Sequence, residues 1–189
     1  MLKGELVQLK APDRSALPAY VEWLNDQETR GYLAIESTYP LTMAEETNWY
    51  ESMLHKENDK AFAIHTLADD VLIGNVGFHN ISWKNQAATV GIFIGNKNYW
   101  GKGYGTEAMR LALYIAFQEL NLRRVELGVF AFNSRAARSY EKLGFVVEGR
   151  KRQWVYRDGI FHDVIEMSML KEEYLERYLK EDEKRWQEL

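Results

Sequence analysis

The stretch Ile94-Gly95-Asn96-Lys97-Asn98-Tyr99-Trp100-Gly101-Lys102-Gly103-Tyr104-Gly105-Thr106-Glu107-Ala108 constrains this chain more than any other. It joins a β-rich run to the clearest helix of the sequence, in which Met109, Ala112, Leu113, Ala116, Phe117 and Leu120 fall on one face. Three glycines at alternate positions, Gly101, Gly103 and Gly105, let the backbone approach a ligand. The helix start adds unpaired N–H groups and the positive end of a dipole, and together these make an anion cradle suited to a pyrophosphate. Lys102 adds a point charge, although a lysine here also reads as a solvated surface residue. A glycine-rich turn that merely reverses the chain is the plain alternative, and context decides between them.

That context argues against two nucleotide folds. A dinucleotide-binding fingerprint belongs in the first strand-helix unit, whereas this one follows four strand-like runs and begins no repeating βαβ series. A nucleoside triphosphate loop needs G-K-[ST] after its glycines, which is missing here.

The rest of the chain reads as strand 5–10, a helix carrying Leu17, Tyr20, Val21 and Leu24, and a loop from Thr29 to Leu41. A helix from Thr42 to about Lys56 opens on the capping box Thr42/Glu45. A hairpin follows from AFAIHTL and VLIGNVGFHNI, then strand 87–95, helix 106–120, strand VELGVFA and a helix from Ser134 to Leu143 stopped by Gly144. Strands 145–156 and 160–170 flank the turn Asp158-Gly159, and an amphipathic helix with a charged tail occupies 171–189. Helices interleaved with strands predict an α/β (α+β) fold, one domain over 5–170 with a mixed sheet of about seven strands covered by helices.

Composition narrows the chemistry. With no cysteine, a disulfide, a thiolate metal site, an Fe–S cluster and a cysteine nucleophile are excluded together. The net charge of -4 has the wrong sign for a general nucleic-acid binder and tolerates a cationic partner. No metal-ligand spacing occurs among the histidines and acids, so no metal is expected. The N-terminus MLKGELVQLK lacks a signal-peptide core, and there is no 18-residue apolar run. The expectation is a soluble cytoplasmic protein with no membrane partner. An aromatic content of 13% leaves room for a homodimer without fixing its surface.

Tyr-Trp-Gly-Lys-Gly-Tyr-Gly-Thr-Glu-Ala (99–108), then Asn133 and the run Ala137-Arg138-Ser139-Tyr140-Glu141-Lys142-Leu143-Gly144-Phe145, resemble the GNAT superfamily of acetyl-CoA-dependent N-acetyltransferases. The likeness extends over about residues 5–170 and is closest to the branch holding the RimJ/RimL-type ribosomal-protein and the spermidine acetyltransferases. It implies a splayed sheet, acetyl-CoA as cosubstrate, and acetyl transfer to a primary amine by direct attack in a ternary complex. The acceptor is a protein N-terminus, a polyamine or a small amino compound.

By that resemblance Gly101, Lys102, Gly103, Tyr104, Gly105 and Thr106 hold the pyrophosphate, and the backbone of Phe93, Ile94 and Gly95 pairs with the pantetheine arm. Asn133 meets the pantetheine amides, and Tyr140 sits by the sulfur as general acid. Trp100 stands where many members have Arg or Gln, whereas the RimJ/RimL-like branch commonly has an aromatic there. Many relatives carry Glu where this chain has Thr89, which puts a direct carboxylate base in doubt. Glu126 is the leading candidate base, with Glu36 and His79 behind it and a water chain as the alternative. Glu36 is also a candidate for attracting a cationic acceptor. Two other classes compete: a CoA-binding sensor or interaction module without turnover, and a nicotinamide-dinucleotide oxidoreductase.

Overall fold

The computed structural model describes residues 2–33 and 39–187. By its internal contacts the chain forms two compact units, Met1–Ile81 with Val90–Ala112, and Ser82–Thr89 with Leu113–Leu189. The boundary cuts through two strands and one helix, so neither unit is a continuous piece of chain.

The first unit begins with strands β1 (Leu2–Lys3) and β2 (Val7–Lys10), joined by a tight turn in which Gly4 N donates to Val7 O at 2.7 Å. The strand expected over 5–10 is β2, which begins two residues later, and β1 is an additional strand ahead of it, so the described residues form eight strands where about seven were expected. Two residues are too few to show any periodicity in sequence. Helix α1 (Leu17–Asn25) starts with Pro18 in its first turn, where the missing N–H costs no helical bond. A short helix α2 (Gln27–Gly31), capped by the Asp26 carboxylate on Thr29 N, occupies the start of the expected loop. Helix α3 (Met43–His55) opens on the reciprocal Thr42/Glu45 capping box.

Strands β3 (Lys60–Thr66) and β4 (Leu72–Ser82) form the expected hairpin, and β5 (Ala87–Ile94) ends at the glycine turn. Hydrogen bonding runs in the order β1-β2-β3-β4-β5, antiparallel from β1 to β4. Helix α4 (Tyr104–Tyr114) follows the turn. Its apolar stripe is buried, with Ala108, Met109 and Ala112 fully excluded from solvent.

In the second unit α4 runs on into a π-helical turn, Ile115–Glu119, where Leu120 N bonds Ile115 O. The helix expected to reach 120 thus changes its winding over the last turn, while Phe117 stays buried. Strand β6 (Arg124–Phe130) is parallel to the first residues of β5, pairing Ala87–Thr89 with Arg124–Glu126. Helix α5 (Ser134–Leu143) ends at Gly144, whose φ of +102° is a left-handed conformation that suits glycine. Strands β7 (Val146–Arg157) and β8 (Ile160–Leu170) pair across Asp158-Gly159, both at positive φ as a two-residue hairpin requires. The order here is β5-β6-β8-β7.

Helix α6 (Lys171–Gln187) closes the chain on this unit. Tyr174 stacks on Phe117 at 4.8 Å and donates its hydroxyl to the buried Asp182 at 2.5 Å. Arg177 and Tyr178 donate to the carbonyls of Lys142 and Leu143, which end α5 without helical partners. The fold is α/β with a mixed sheet, as expected. No helix among the described residues is long and apolar enough to cross a membrane.

Candidate active site

In the first unit, β5 delivers the chain into the turn under tight steric control. Phe93 packs edge-on against Tyr20 at 5.9 Å and against Trp23 at 6.4 Å. A Cβ at Gly95 would lie 2.1 Å from the Trp23 ring, so glycine stands here to admit that indole. The Gly95 amide is given to Ile73 O at 2.8 Å, and the Ile94 carbonyl accepts from Trp100 Nε1 at 2.6 Å. Of the backbone groups expected to pair with pantetheine, these two therefore already have protein partners. The Trp100 bond also gives a physical reason for an aromatic with an N–H at that position: it folds the turn back onto the strand end. Tyr32 meets the same ring edge-on at 6.0 Å.

Beyond Trp100 the turn is set by backbone conformation. Gly101 has φ +71° and Gly103 has φ +91°, values at which an L side chain is strained. Open space surrounds the Cβ direction of Gly101, and only Leu6 Cδ1, at 3.5 Å, approaches that of Gly103. Gly105 has no such φ, and its Cβ would meet Ile94 Cγ1 at 3.4 Å. The first bond of α4 runs from Glu107 N to Gly103 O at 3.0 Å, so the helical amides ahead of it have no intrahelical acceptor. Lys102 is exposed, Tyr104 lies edge-on to Tyr99 at 5.0 Å, and Thr106 is half-buried in the first helical turn.

Beside the turn lies a cavity of about 600 Å³ lined by Glu22, Trp23, Asn25, Asp26, Thr29 and Gly95–Asn98. Lys97 is tied there to Asp26 at 2.8 Å and to Glu28 at 2.9 Å. The Lys97 ammonium, with the Thr29 amide, holds the Asp26 carboxyl down to about 2.

In the second unit, α5 carries the two side chains singled out by sequence. Asn133 is its N-cap, with Oδ1 accepting from Ala136 N at 3.2 Å. The helix-cap role is thus real, and it uses Oδ1 rather than the Nδ2 donor. Tyr140, two turns on, lies edge-on to Phe145 at 5.9 Å, and burial pushes its phenol up to about 12. It therefore keeps its proton throughout the neutral range.

Glu126 on β6 sits directly across from Thr89 on β5, the position where many relatives carry a carboxylate. It is half exposed and ion-paired to Arg124 Nε at 3.0 Å, while the other guanidinium nitrogens grip Glu148. Arg124, assisted by Ser168, holds the Glu148 carboxyl at about 2. Glu36 lies outside the described residues. His79, in the first unit, is exposed and lies over Gly91, 3.4 Å from where a Cβ would stand. Among the described residues no group of three His, Asp or Glu could hold a metal.

Sequence reasoning missed the Trp100–Ile94 bond, the fit of Trp23 to Gly95, and Glu107, whose carboxylate reaches Glu5, Leu6 and Val7. None of these has a local signal, because each partner lies on another element.

A strand end thus leads through two positive-φ glycines into the start of a helix, in an α/β fold. Residues 7–146 match the acetyltransferase (GNAT) domain, and the chain belongs to that family. It is 42% identical over 115 residues to YjcK of Bacillus subtilis, an N-acetyltransferase by name, covering 60% of this chain and 63% of YjcK. It is 29% identical over 175 residues to the spermidine N(1)-acetyltransferase of Escherichia coli, covering 93% and 91% of the two chains. The structure of the Vibrio cholerae spermidine N-acetyltransferase in complex with CoA and spermine superposes with a TM-score of 0.83 at 28% identity, over 89% of this chain and 98% of that one.

Proposed function

We propose that this protein transfers the acetyl group of acetyl-CoA to a primary amine by direct attack in a ternary complex. The observation that carries the reading is the glycine turn: Gly101 and Gly103 at φ +71° and +91°, leading into the first turn of α4 ahead of its first intrahelical bond, Glu107 N to Gly103 O. That geometry suits a pyrophosphate, because fixed N–H groups and a helix dipole bind it without a net positive charge on the protein. The net charge of -4 is therefore no obstacle to the cosubstrate, and it suits a cationic acceptor.

When bound, acetyl-CoA supplies a thioester carbon open to an amine. The backbone from Gly101 to Thr106 holds the phosphates, with Lys102 as a solvent-side charge, and what remains free at Phe93–Gly95 aligns the pantetheine arm. Asn133 fixes an amide of that arm through Nδ2 while its Oδ1 keeps α5 capped. Tyr140 holds a proton at Oη for the departing sulfur, and burial ensures that the proton is present at neutral pH. The incoming ammonium must shed a proton, and Glu126, half exposed and sharing an oxygen with Arg124, takes it directly or through water. With no cysteine in the chain, an acetyl-cysteine intermediate is impossible, which is consistent with direct transfer.

The finer reading, a polyamine or other aliphatic primary amine as acceptor, draws on the net charge and on the spermidine-acetylating relative that aligns over nearly the whole chain. Incubation of the protein with acetyl-CoA and, separately, spermidine, a peptide with a free N-terminus and an aminoglycoside, reading CoA thiol release, tests it. Release with spermidine above the other two is expected. Binding of acetyl-CoA with no thiol released by any amine would instead leave a CoA-binding module without turnover.

A further inference from the structure

The carboxylate of Glu107, in the first turn of α4, accepts three backbone hydrogen bonds from one short segment of the same unit. Glu5 N reaches Oε1 at 2.8 Å, and Leu6 N and Val7 N reach Oε2 at 2.7 Å each. The donors come from the turn between β1 and β2, whose amides are gathered on one side by the Gly4 N to Val7 O bond. Gly4 leaves the space: a Cβ there would lie 2.5 Å from both Cδ and Oε2 of Glu107. The same turn touches the anion cradle, because Leu6 Cδ1 is 3.5 Å from the Cβ direction of Gly103. Val7 is the first residue of β2 and pairs with Thr66 of β3, so the turn is itself fixed to the sheet.

A carboxylate so near a phosphate-binding helix start is unfavourable unless its charge is spent elsewhere. Three short, charge-assisted bonds to another segment spend it, and they also fix the angle at which α4 presents its amides. From these contacts we infer that Glu107 is a positioning residue for the acetyl-CoA site: it ties the first turn of α4 to the β1–β2 turn and thereby sets the pyrophosphate cradle. The inference rests on the reading of the glycine turn given under Proposed function. It adds a residue that touches no part of the cosubstrate and acts through the backbone of Gly103 and Tyr104.

The test is isothermal titration of the full chain with acetyl-CoA, with thermal melting and steady-state kinetics alongside. In Glu107→Gln one oxygen becomes an NH₂ that cannot accept, so at least one of the three amides faces a donor. The expected result is a Kd for acetyl-CoA raised about tenfold, the equivalent of one lost charge-assisted bond, with the KM for the amine and the kcat at saturating acetyl-CoA within about twofold. Gly4→Ala displaces the carboxylate without changing its charge and is expected to move the Kd in the same direction. A lowered melting temperature with an unchanged Kd in both folded variants would reduce Glu107 to a stabilising contact and overturn the inference. Tighter binding in Glu107→Gln would show plain charge repulsion and overturn it as well. Failure of the unaltered protein to bind acetyl-CoA would overturn the reading of the turn itself, and this inference with it.

Discussion

The glycine turn of the first unit and helix α5 of the second solve different problems with different parts of the chain. On the proposed reading the working groups of the turn are backbone amides, and their placement is a matter of φ at Gly101 and Gly103 and of the contacts of Trp23, Trp100 and Glu107. On the same reading the working groups of α5 are side chains, Asn133 Nδ2 and Tyr140 Oη, on a helix fixed at both ends by caps. A backbone site fails when conformation changes, whereas a side-chain site fails when one atom is removed. The two should therefore respond to mutation in kinetically separable ways.

The largest expected effect is on α5. Tyr140→Phe removes one oxygen from a half-buried ring that keeps its contact with Phe145, and kcat should fall about a thousandfold, within the range for a lost general acid. Its Kd for acetyl-CoA should stay within about threefold by titration. A variant that instead loses affinity with kcat intact would make Tyr140 a binding residue and erase the contrast.

Next is the turn itself. Gly103→Val should weaken acetyl-CoA binding about a hundredfold and, because a β-branched residue at φ +91° is strained by about 1–3 kcal/mol, it should also lower the melting temperature by several degrees. Normal affinity in this variant would remove the pyrophosphate site. A smaller change follows in Trp100→Phe, which keeps the ring and loses the bond to Ile94 O. The loss of about 1 kcal/mol corresponds to about 2–4 °C in melting temperature, with only a few-fold rise in KM for acetyl-CoA.

The smallest effect separates the units by acid titration. The Glu148 carboxyl, held at about 2 by Arg124 and Ser168, binds its proton less readily in the folded than in the unfolded chain. Its contribution to stability is therefore present above the ordinary glutamate range and is lost as pH falls toward 2. Glu148 is substantially exposed, so the gain is modest and screened by salt. Glu148→Gln should flatten the acid limb of a melting-temperature profile between about pH 4.5 and 2, and an unchanged limb would show that the Arg124 pair contributes nothing. The Tyr140 phenol adds no ionisation in the neutral range, so any kcat dependence near pH 7 must come from the acceptor or its base.

Much of this was legible in the sequence where the determining contacts are local. The Thr42/Glu45 box, the Gly144 stop, the Asp158-Gly159 turn and the buried face of α4 each depend on residues within a few positions of one another. What stayed hidden depends on distant partners. Gly95 reads as a ligand-facing glycine, yet Trp23 on α1 fills the space beside it. Glu107 reads as an ordinary acid in a first helical turn, yet its three donors lie about a hundred positions away. The last turn of the helix kept its apolar spacing while its hydrogen bonds shifted to Leu120–Ile115, because side-chain periodicity reports burial and not which carbonyl each amide uses.

Where acetyl-CoA touches the chain decides whether the glycine turn holds its pyrophosphate. Hydrogen–deuterium exchange of the full protein with and without saturating acetyl-CoA reads this peptide by peptide. The predicted result is protection concentrated on residues 93–107, with a second, weaker zone at residues 133–140 of α5. Exchange in 101–106 that is unchanged at saturation, with protection appearing elsewhere, would contradict it.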